Sequence, residues 1–509
     1  MGSALRPLGR PLRGRRLTGL SGVVAAVAVL VAGAGCTPTT APDERTGSAS
    51  AVGTGALEPA ADLSEELAGP GSPFIGEAGR IELPGYVEQE LIAAGTATDY
   101  RAPDGLPPDG RWRFEPGVTA PYRTRVLVRR PADPARFSGT VVVEWLNVSG
   151  GLDGNPEWAN LAEEIGRRGH AWVGVSAQRI GVEGGPVLVR PPGVEDLVGR
   201  GLVGLDPDRY GSLEHPGDGF SFDIFTQVAR ALRAGGTVLG GARGEVLLAA
   251  GESQSAIALT TYYNGVQPLT GAFEGFFVHS RAFAALPLVE PGGYADLAGS
   301  LGSAGPVRLR DDLDAPVLVL QAEGDVVGVL DSVAVRQPDT DRYRLWEVAG
   351  AAHADARLLG PVAGALDCGA PVNDAPMHLV AKAALRALET WVRSGEAPPM
   401  APRLEVTDGS DPQVRRDADG IALGGLRTPP VDVPVDVLSG APPPSPDLLC
   451  LLVGSTRPLP GERLAVLYPT RADYEQRYRA AVDATIDAGF VLPEDRDALL
   501  GYAQPSRLR

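Results

Sequence analysis

Continuous apolar runs recur along the chain and alternate with stretches of helical periodicity. The runs lie in SGTVVVEWLNV, AWVGVSAQ, EVLLAAG, FEGFFVHS, PVLVLQAEGD and RYRLWEVAG. Runs of this length are typical of strands that are covered on both faces. Two earlier strands are predicted in IELPGYVEQELIAAGTATDY and PYRTRVLVRRP. Strands that alternate with helices predict an α/β fold, with a mostly parallel sheet and helices on both of its faces.

The helices between these strands have recognisable ends. Asn155 is followed by Pro156, which suits the first helical position, and Gly169 closes the same periodic segment. Further helices are predicted in MHLVAKAALRALETWV and TRADYEQRYRAAVDATIDAG. The stretches 179–220 and 280–312 are rich in loops, and we expect them to cover the edge of the sheet.

The first 36 residues have the pattern of a signal peptide. Five arginines precede the apolar run LTGLSGVVAAVAVLVAGAG, which ends at Cys36. The small residues before Cys36 resemble a bacterial lipobox, although Gly33 stands where leucine is usual. We therefore predict export, with lipid attached to Cys36 as a membrane anchor at the outer face of the cytoplasmic membrane or in the cell envelope. Simple secretion and an uncleaved membrane anchor are the alternatives.

Composition divides the remainder of the chain into three parts. Residues 37–75 are rich in Pro, Ala, Gly, Ser and Thr without apolar periodicity, which predicts a disordered tether. Residues 76–400 contain the alternating strands and helices and form the predicted catalytic domain. Residues 401–509 begin rich in proline and become helical, so we expect a C-terminal extension packed on that domain.

Charge and cysteine content narrow the classes of partner. The net charge of −17 argues against nucleic acid, since phosphate binding needs clustered cations. Once Cys36 is assigned to the anchor, Cys368 and Cys450 remain. In an oxidising compartment they form a disulfide or stay as two independent buried thiols, and the sequence does not decide between these.

A candidate nucleophile lies in EVLLAAGESQSAIALTTYY. An apolar strand runs into Gly251-Glu252-Ser253-Gln254-Ser255, and a helical pattern begins at once. A serine on such a sharp strand-to-helix turn needs small residues two positions away on each side. Ser176 also follows a strand, but the segment after it has no helical periodicity. We therefore predict Ser253 as the nucleophile.

A serine hydroxyl needs an adjacent base that is held by a third group. Three histidines follow Ser253 in the chain. His353 comes after the strand RYRLWEV through a turn of small residues, which is the expected place of a catalytic histidine. His279 ends another strand and is a candidate for the wall of the pocket, and His378 opens a late helix and is expected to be structural.

The third group is an acid at the end of the strand before that histidine. Asp325 follows PVLVLQAEG and lies beyond the strand, where sites form in α/β sheets. Glu323 is two residues earlier and is the alternative acid. We predict Asp325 and keep Glu323 as its rival.

Acyl transfer also needs two N–H donors for the developing oxyanion. The backbone of Gln254 supplies one, directly after the nucleophile. The second is expected from the glycine-rich loop after VVVEWLNV, near Asn147 and Val148. Glu252 is either a carboxylate of the pocket or a solvated charge.

Other chemistries lack support in the sequence. There is no CxxC, HExxH or clustered His/Cys set, so no metal site is predicted, and there is no Walker loop for phosphates. We therefore expect no cofactor.

Several segments resemble a family known as "alpha/beta hydrolase domain", whose members are often long exported bacterial proteins. They include EWLNVSGGLDGNPEW, WVGVSAQRIGV, DRYGSLEHPGDGFSFDIFTQVARAL, GESQSAIALTTYYNGVQP, WEVAGAAHAD, CGAPVNDAPMHLVAKAALRALETWV and DADGIALGGLRTPPVDVPV. The resemblance spans about residues 80–455. It implies the α/β-hydrolase fold and a triad of Ser253, Asp325 or Glu323, and His353. It implies little about the substrate.

Together these features predict a serine hydrolase that cleaves a small-molecule carboxylic ester through an acyl-enzyme on Ser253. An amidase or peptidase that uses the same triad is one alternative. A catalytically silent envelope binding protein that retains the fold is the other.

Overall fold

The structure is a computed structural model that describes residues 59–69, 71–76, 80–190, 192–441, 445 and 447–508. The predicted signal peptide 1–36, its Cys36 and the tether up to residue 58 lie outside these residues. Among the residues described, no helix is long and apolar enough to cross a membrane.

Nine strands form one sheet in the order β1-β2-β3-β5-β4-β6-β7-β8-β9. Strands β1, β2, β3 and β5 pair antiparallel in that order, and every pair from β5 to β9 is parallel. The predicted mostly parallel α/β sheet is confirmed. The strands are β1 Asp62–Glu66, β2 Tyr86–Arg101, β3 Glu115–Pro131, β4 Thr140–Trp145, β5 Ala171–Val175, β6 Val246–Glu252, β7 Gly275–His279, β8 Val317–Ala322 and β9 Tyr343–Val348.

Helices cover both faces of this sheet, and the stretches 179–220 and 280–312 contain short helices as well as loops. The α-helices are α1 Pro156–Arg168, α2 Arg179–Glu183, α3 Gly201–Leu205, α4 Pro207–Tyr210, α5 Ser221–Ala234, α6 Gln254–Thr261, α7 Gln267–Thr270, α8 Leu297–Ser303, α9 Glu323–Val326, α10 Ala356–Leu359, α11 Met377–Ser394, α12 Pro429–Asp432, α13 Leu448–Leu452, α14 Gly461–Leu467, α15 Arg471–Asp487 and α16 Arg496–Leu500. A π-helix at Tyr262–Val266 joins α6 to α7.

The strands β4 to β8 are largely apolar because each face of the sheet has its own core. Val141 and Val143 of β4 point into one core with Ile257 of α6, whereas Val142 points into the other. Successive side chains of a strand point to opposite faces, so a strand covered twice needs apolar residues at every position. We call the core that contains Ile257 the α6 face. The core that contains Leu161 of α1 is the α1 face.

The C-terminal region packs into the same unit as the sheet. The Leu426 amide donates to the Glu347 carbonyl at the end of β9 (2.7 Å), and Tyr474 of α15 lies in the core of the α1 face. Residues 436–458 add a two-stranded antiparallel sheet of β10 Asp436–Ser439 and β11 Ser455–Pro458. The region therefore contributes to the core beneath the loop that follows β9.

The first strand corrects the predicted tether. Residues 62–66, which fall within the predicted disordered segment 37–75, form β1 and pair with β2. Ala61 and Leu67 are buried at its two ends. The long β2 provides backbone partners for a segment whose composition alone cannot order it, and this partnership is invisible in local composition.

Cys368 and Cys450 form a disulfide, with an S–S distance of 1.98 Å. The bridge joins the segment after β9 to α13, across 82 residues of sequence. Of the two arrangements that the sequence left open, the structure has the bridged one.

Candidate active site

Ser253 sits on a strained turn between β6 and α6. Its φ of 61° and ψ of −118° lie in a region that residues with a side chain rarely adopt. Such a conformation costs about 1–3 kcal/mol and persists only where its surroundings hold it. Here the Ser253 amide donates to the carbonyl of His279 in β7 (2.9 Å), which fixes the turn to the neighbouring strand.

Gly251 and Ser255 must be small because the strand and the helix approach each other closely at this turn. A Cβ atom placed on Gly251 would lie 2.9 Å from the Cβ of Ser255, closer than real Cβ contacts come. The strand and the helix therefore approach each other only because position 251 has no side chain and position 255 has a short one. The spacing Gly-x-Ser-x-Ser is a packing requirement of this turn.

The structure brings Ser253, His353 and Asp325 together in a hydrogen-bonded chain. The Nε2 atom of His353 lies 2.9 Å from Ser253 Oγ, and its Nδ1 atom lies 2.7 Å from Asp325 Oδ1. Asp325 is fully buried, and its other oxygen accepts a hydrogen bond from the amide of Ala322 (2.6 Å). An acid held at both oxygens fixes the orientation of the imidazole, as a base beside a nucleophile requires.

The charge of Asp325 decides the protonation behaviour of His353. Burial by itself lowers the pKa of His353, but the charge of Asp325 and its hydrogen bond outweigh burial, so that the pKa is raised above its ordinary value. Glu252 adds a smaller effect in the same direction. A base with a raised pKa accepts a proton from a serine hydroxyl more readily.

Glu323, the alternative acid, is bound elsewhere. One of its oxygens accepts hydrogen bonds from the amide of Gly440 (3.0 Å) and from Arg416 (2.5 Å), and the other accepts from the amide of Gly350 (2.8 Å). Because Glu323 and Asp325 lie on the single turn α9, they point in different directions. Glu323 therefore joins the C-terminal region to the loop after β9 that contains His353. Asp325 is the acid that contacts His353.

The predicted oxyanion donors differ in their surroundings. Gln254 begins α6, so its amide lies at the helix N-terminus beside Ser253. The Val148 amide donates to the side-chain oxygen of Gln254 (3.2 Å), which brings the loop after β4 against this helix. The prediction for Asn147 is wrong, because its amide donates to the carbonyl of Gly154 (2.9 Å) and its side chain to the carbonyl of Glu252. Asn147 closes its own loop and holds the strand end instead.

Ser176, the competing serine, is fully buried in a different network. Its hydroxyl donates to Asp153 (2.5 Å) and accepts from the guanidinium of Arg125 (3.1 Å). Arg125 is itself completely buried and pairs with Asp153 and Glu90. This network joins β3 to the end of β5, and Ser176 has a structural role.

Several polar residues near the site take positions that local sequence does not reveal. Gln178, which lies between β5 and α2, accepts hydrogen bonds from the side chains of Gln254 and Trp145, and so joins the start of α6 to the end of β4. Glu252 is 3% exposed, which excludes the solvated charge and leaves a buried carboxyl. His279 is buried beside it, and His378 is buried in the first turn of α11. Gln178 carries no sequence signal, because its partners lie in a strand and a helix that are distant in the chain.

The residues that the structure describes contain no group of three or more His, Cys, Asp or Glu side chains that could hold a metal ion. Ser253, His353 and Asp325 form the continuous hydrogen-bonded chain of this site.

An open sheet of this order with a serine on the turn after β6 defines an α/β hydrolase. The model of the family described as "Alpha/beta hydrolase domain" matches residues 55–501, and the chain belongs to this family. Membership identifies the protein as a hydrolase. No curated protein matches the chain.

Solved structures of esterases resemble the chain at low identity. A fungal esterase from Rhizomucor miehei is 13% identical, with a TM-score of 0.32 over 61% of this chain and 86% of that chain. A thermostable esterase from Pseudomonas putida ECU1011 is 14% identical, with a TM-score of 0.29 over 62% and 85%. Carboxyl esterase 2 from the fungus Tuber melanosporum is 12% identical, with a TM-score of 0.29 over 58% and 88%. The assignment therefore rests on the family match.

Proposed function

We propose that this protein is a serine hydrolase that cleaves carboxylic esters through an acyl-enzyme on Ser253. The observation that carries the proposal is the continuous chain from Ser253 Oγ to His353 Nε2 (2.9 Å) and from His353 Nδ1 to Asp325 Oδ1 (2.7 Å). These distances are those at which a base takes a proton from a nucleophile and an acid orients the base.

In the first half-reaction, Ser253 Oγ attacks the ester carbonyl carbon while its proton passes to His353 Nε2. Asp325 stabilises the imidazolium that forms, since the Nδ1–H donates to its carboxylate. The Gln254 amide donates to the oxyanion, and Val148 is the proposed second donor once its amide exchanges the Gln254 side chain for the substrate. Collapse of the intermediate breaks the bond to the leaving alcohol, which takes the proton from His353.

In the second half-reaction, water attacks the acyl-enzyme and gives a proton to His353. The same donors hold the second oxyanion, and its collapse returns the proton to Ser253 Oγ and releases the carboxylic acid.

The experiment that tests this function compares a nitrophenyl ester with the nitroanilide of the same acyl group. We expect turnover of the ester to exceed that of the amide by at least about 10³-fold in kcat/KM, because a poor amine leaving group needs proton delivery that is positioned for it. Comparable turnover of both substrates would favour an amidase or peptidase. Tight binding of the ester without turnover would favour a silent binding protein.

A further inference from the structure

Three carboxyl groups and one histidine are buried together where four elements of the fold meet. Glu144 lies in β4, Glu157 in the first turn of α1, Glu252 at the end of β6 and His279 at the end of β7. None is more than 3% exposed. The triad uses none of these side chains, so that the fold maintains a costly set of polar groups in its interior.

The contacts within this cluster link Glu252 to Glu157 through His279. The Nδ1 atom of His279 lies 3.4 Å from Glu157 Oε1 and 3.9 Å from Glu252 Oε2. Asn160 donates to Glu252 Oε2 at 3.4 Å. Among the residues described, neither oxygen of Glu157 accepts a hydrogen bond.

Glu144 differs from the other two carboxyl groups because donors surround it. It accepts from the amides of Glu157 (2.9 Å) and Trp158 (3.0 Å) and from the indole of Trp172 (2.7 Å). It therefore anchors the start of α1. Glu157 and Glu252 are the two carboxyl groups with few donors.

The protonation of the cluster follows from this burial. Burial raises the pKa of Glu157 well above its ordinary value and raises that of Glu252 to about 8, with a further upward effect of Glu157 on Glu252. Burial lowers the pKa of His279. At neutral pH Glu252 is therefore largely protonated, and it ionises as the solution becomes alkaline.

Glu252 lies next to the triad, because it directly precedes Ser253, whose Oγ lies 2.9 Å from His353 Nε2. Leu248 and Ala250, which precede it at alternate positions of β6, belong to the core of the α1 face, as does Ala351 just before His353. The helix that presents the Gln254 amide packs on the opposite face. A negative charge on Glu252 therefore arises directly beside the nucleophile that contacts His353, and this charge raises the pKa of the imidazole.

We infer that Glu252 is a positioning residue for His353, and that its carboxylate form supports the imidazolium that arises during acylation. The inference deepens the proposed function and rests on it. Above pH 8, Glu252 gives its proton to bulk water and becomes a carboxylate. That charge then stabilises the imidazolium relative to the neutral base, which lowers the barrier of the step that protonates His353.

Other charged and titratable groups face this cluster, and they shift the pKa of Glu252. Among the neighbouring charges, Glu157 raises the pKa of Glu252 most and Asp325 raises it less. His279 and His353 lower the pKa of Glu252. The groups that face Glu252 and its partner His279 are Glu157, Asn160, Asp325, His353 and Asp355, and Glu144 in turn faces Glu157.

The test is the pH profile of kcat/KM for the full-length protein on a nitrophenyl ester, from pH 5 to 10, with Glu252→Gln beside the parent. In the parent, kcat/KM should rise once as His353 loses its proton. It should rise again, on the order of tenfold, around pH 8 as Glu252 ionises. Glu252→Gln should lack this second rise, because an amide of the same shape carries no proton to lose. A purely structural role would lower activity by the same factor at every pH.

Glu157→Gln provides a second variant with an expected direction. Without its carboxyl neighbour, Glu252 should ionise more easily, and the second rise should move to lower pH. The inference is overturned if the active parent has no second rise, or if Glu252→Gln keeps it at the same pH. A folded parent with no ester turnover at any pH would instead contradict the proposed function, so that the two failures are distinguishable.

Discussion

Replacing Ser253 by alanine is expected to lower kcat for ester hydrolysis by about 10⁶-fold, to a residual rate that the oxyanion donors alone support. The variant removes the only atom that forms the acyl bond in the proposed mechanism. It leaves β6, α6 and the contact between His353 and Asp325 in place. Steady-state kinetics on a nitrophenyl ester measure the effect, and thermal unfolding shows that the fold is retained.

Ser255→Ala is the matched control, because it removes a hydroxyl from the same turn. The Ser255 hydroxyl is buried and has no hydrogen-bond partner among the residues described, so that its loss costs little. We expect kcat within about threefold of the parent. Equal losses in both variants would mean that activity reports only the integrity of the turn, and an active Ser253→Ala would place the nucleophile elsewhere.

Removing the disulfide by the double substitution Cys368→Ser and Cys450→Ser is expected to lower the free energy of unfolding by about 4.5 kcal/mol. The bridge closes a loop of 82 residues, and a loop of this length restricts the unfolded chain strongly. Equilibrium denaturation of the parent and the double variant measures the difference. The bridge also agrees with the exported location that we predict from the N-terminus.

The disulfide should matter for the site as well as for stability. The Ala354 amide, one residue after His353, donates to the carbonyl of Leu452 in α13, the helix that holds Cys450 (3.1 Å). The reduced parent should therefore behave like the double variant, with earlier loss of ester turnover on heating. An unfolding free energy within about 1 kcal/mol of the parent would contradict this account of the bridge.

The parts of the fold that are encoded locally could be predicted from the sequence. The strands β4 to β8 are largely apolar because both faces of each strand are buried, and Gly251 and Ser255 mark the tight turn at Ser253. His353 could be predicted because the chain order of serine, acid and histidine is fixed by the order of the strands. These features depend on neighbours in the sequence.

The remaining features depend on partners that are far apart in the chain. Asp325 and Glu323 are two residues apart, and only the single turn α9 decides that one contacts His353 and the other contacts Arg416 and Gly440. The position of Asn147 in the sequence is typical of an oxyanion donor. In the structure, its amide donates to the carbonyl of Gly154 instead, and this bond closes the loop after β4.

The buried cluster around Glu252 could not be predicted from the sequence either. Glu157, Glu252 and His279 come from three segments, and although the pattern made Glu252 and His279 candidates for the pocket, nothing in it connects them with each other or with Glu157. Only the parallel register, in which Glu252 lies opposite His279, brings their side chains together. Chemistry that is assembled across strands therefore needs the fold before it can be recognised.

The most direct test of the central claim is covalent labelling of the full-length protein with a fluorophosphonate, followed by mass spectrometry of the tryptic peptide 244–281, which contains Ser253 and Ser255. We predict one adduct per chain, located on Ser253, absent from Ser253→Ala and strongly slowed in His353→Ala. A folded parent that gains no adduct, or that carries it on another residue, would contradict the assignment of Ser253 as the nucleophile.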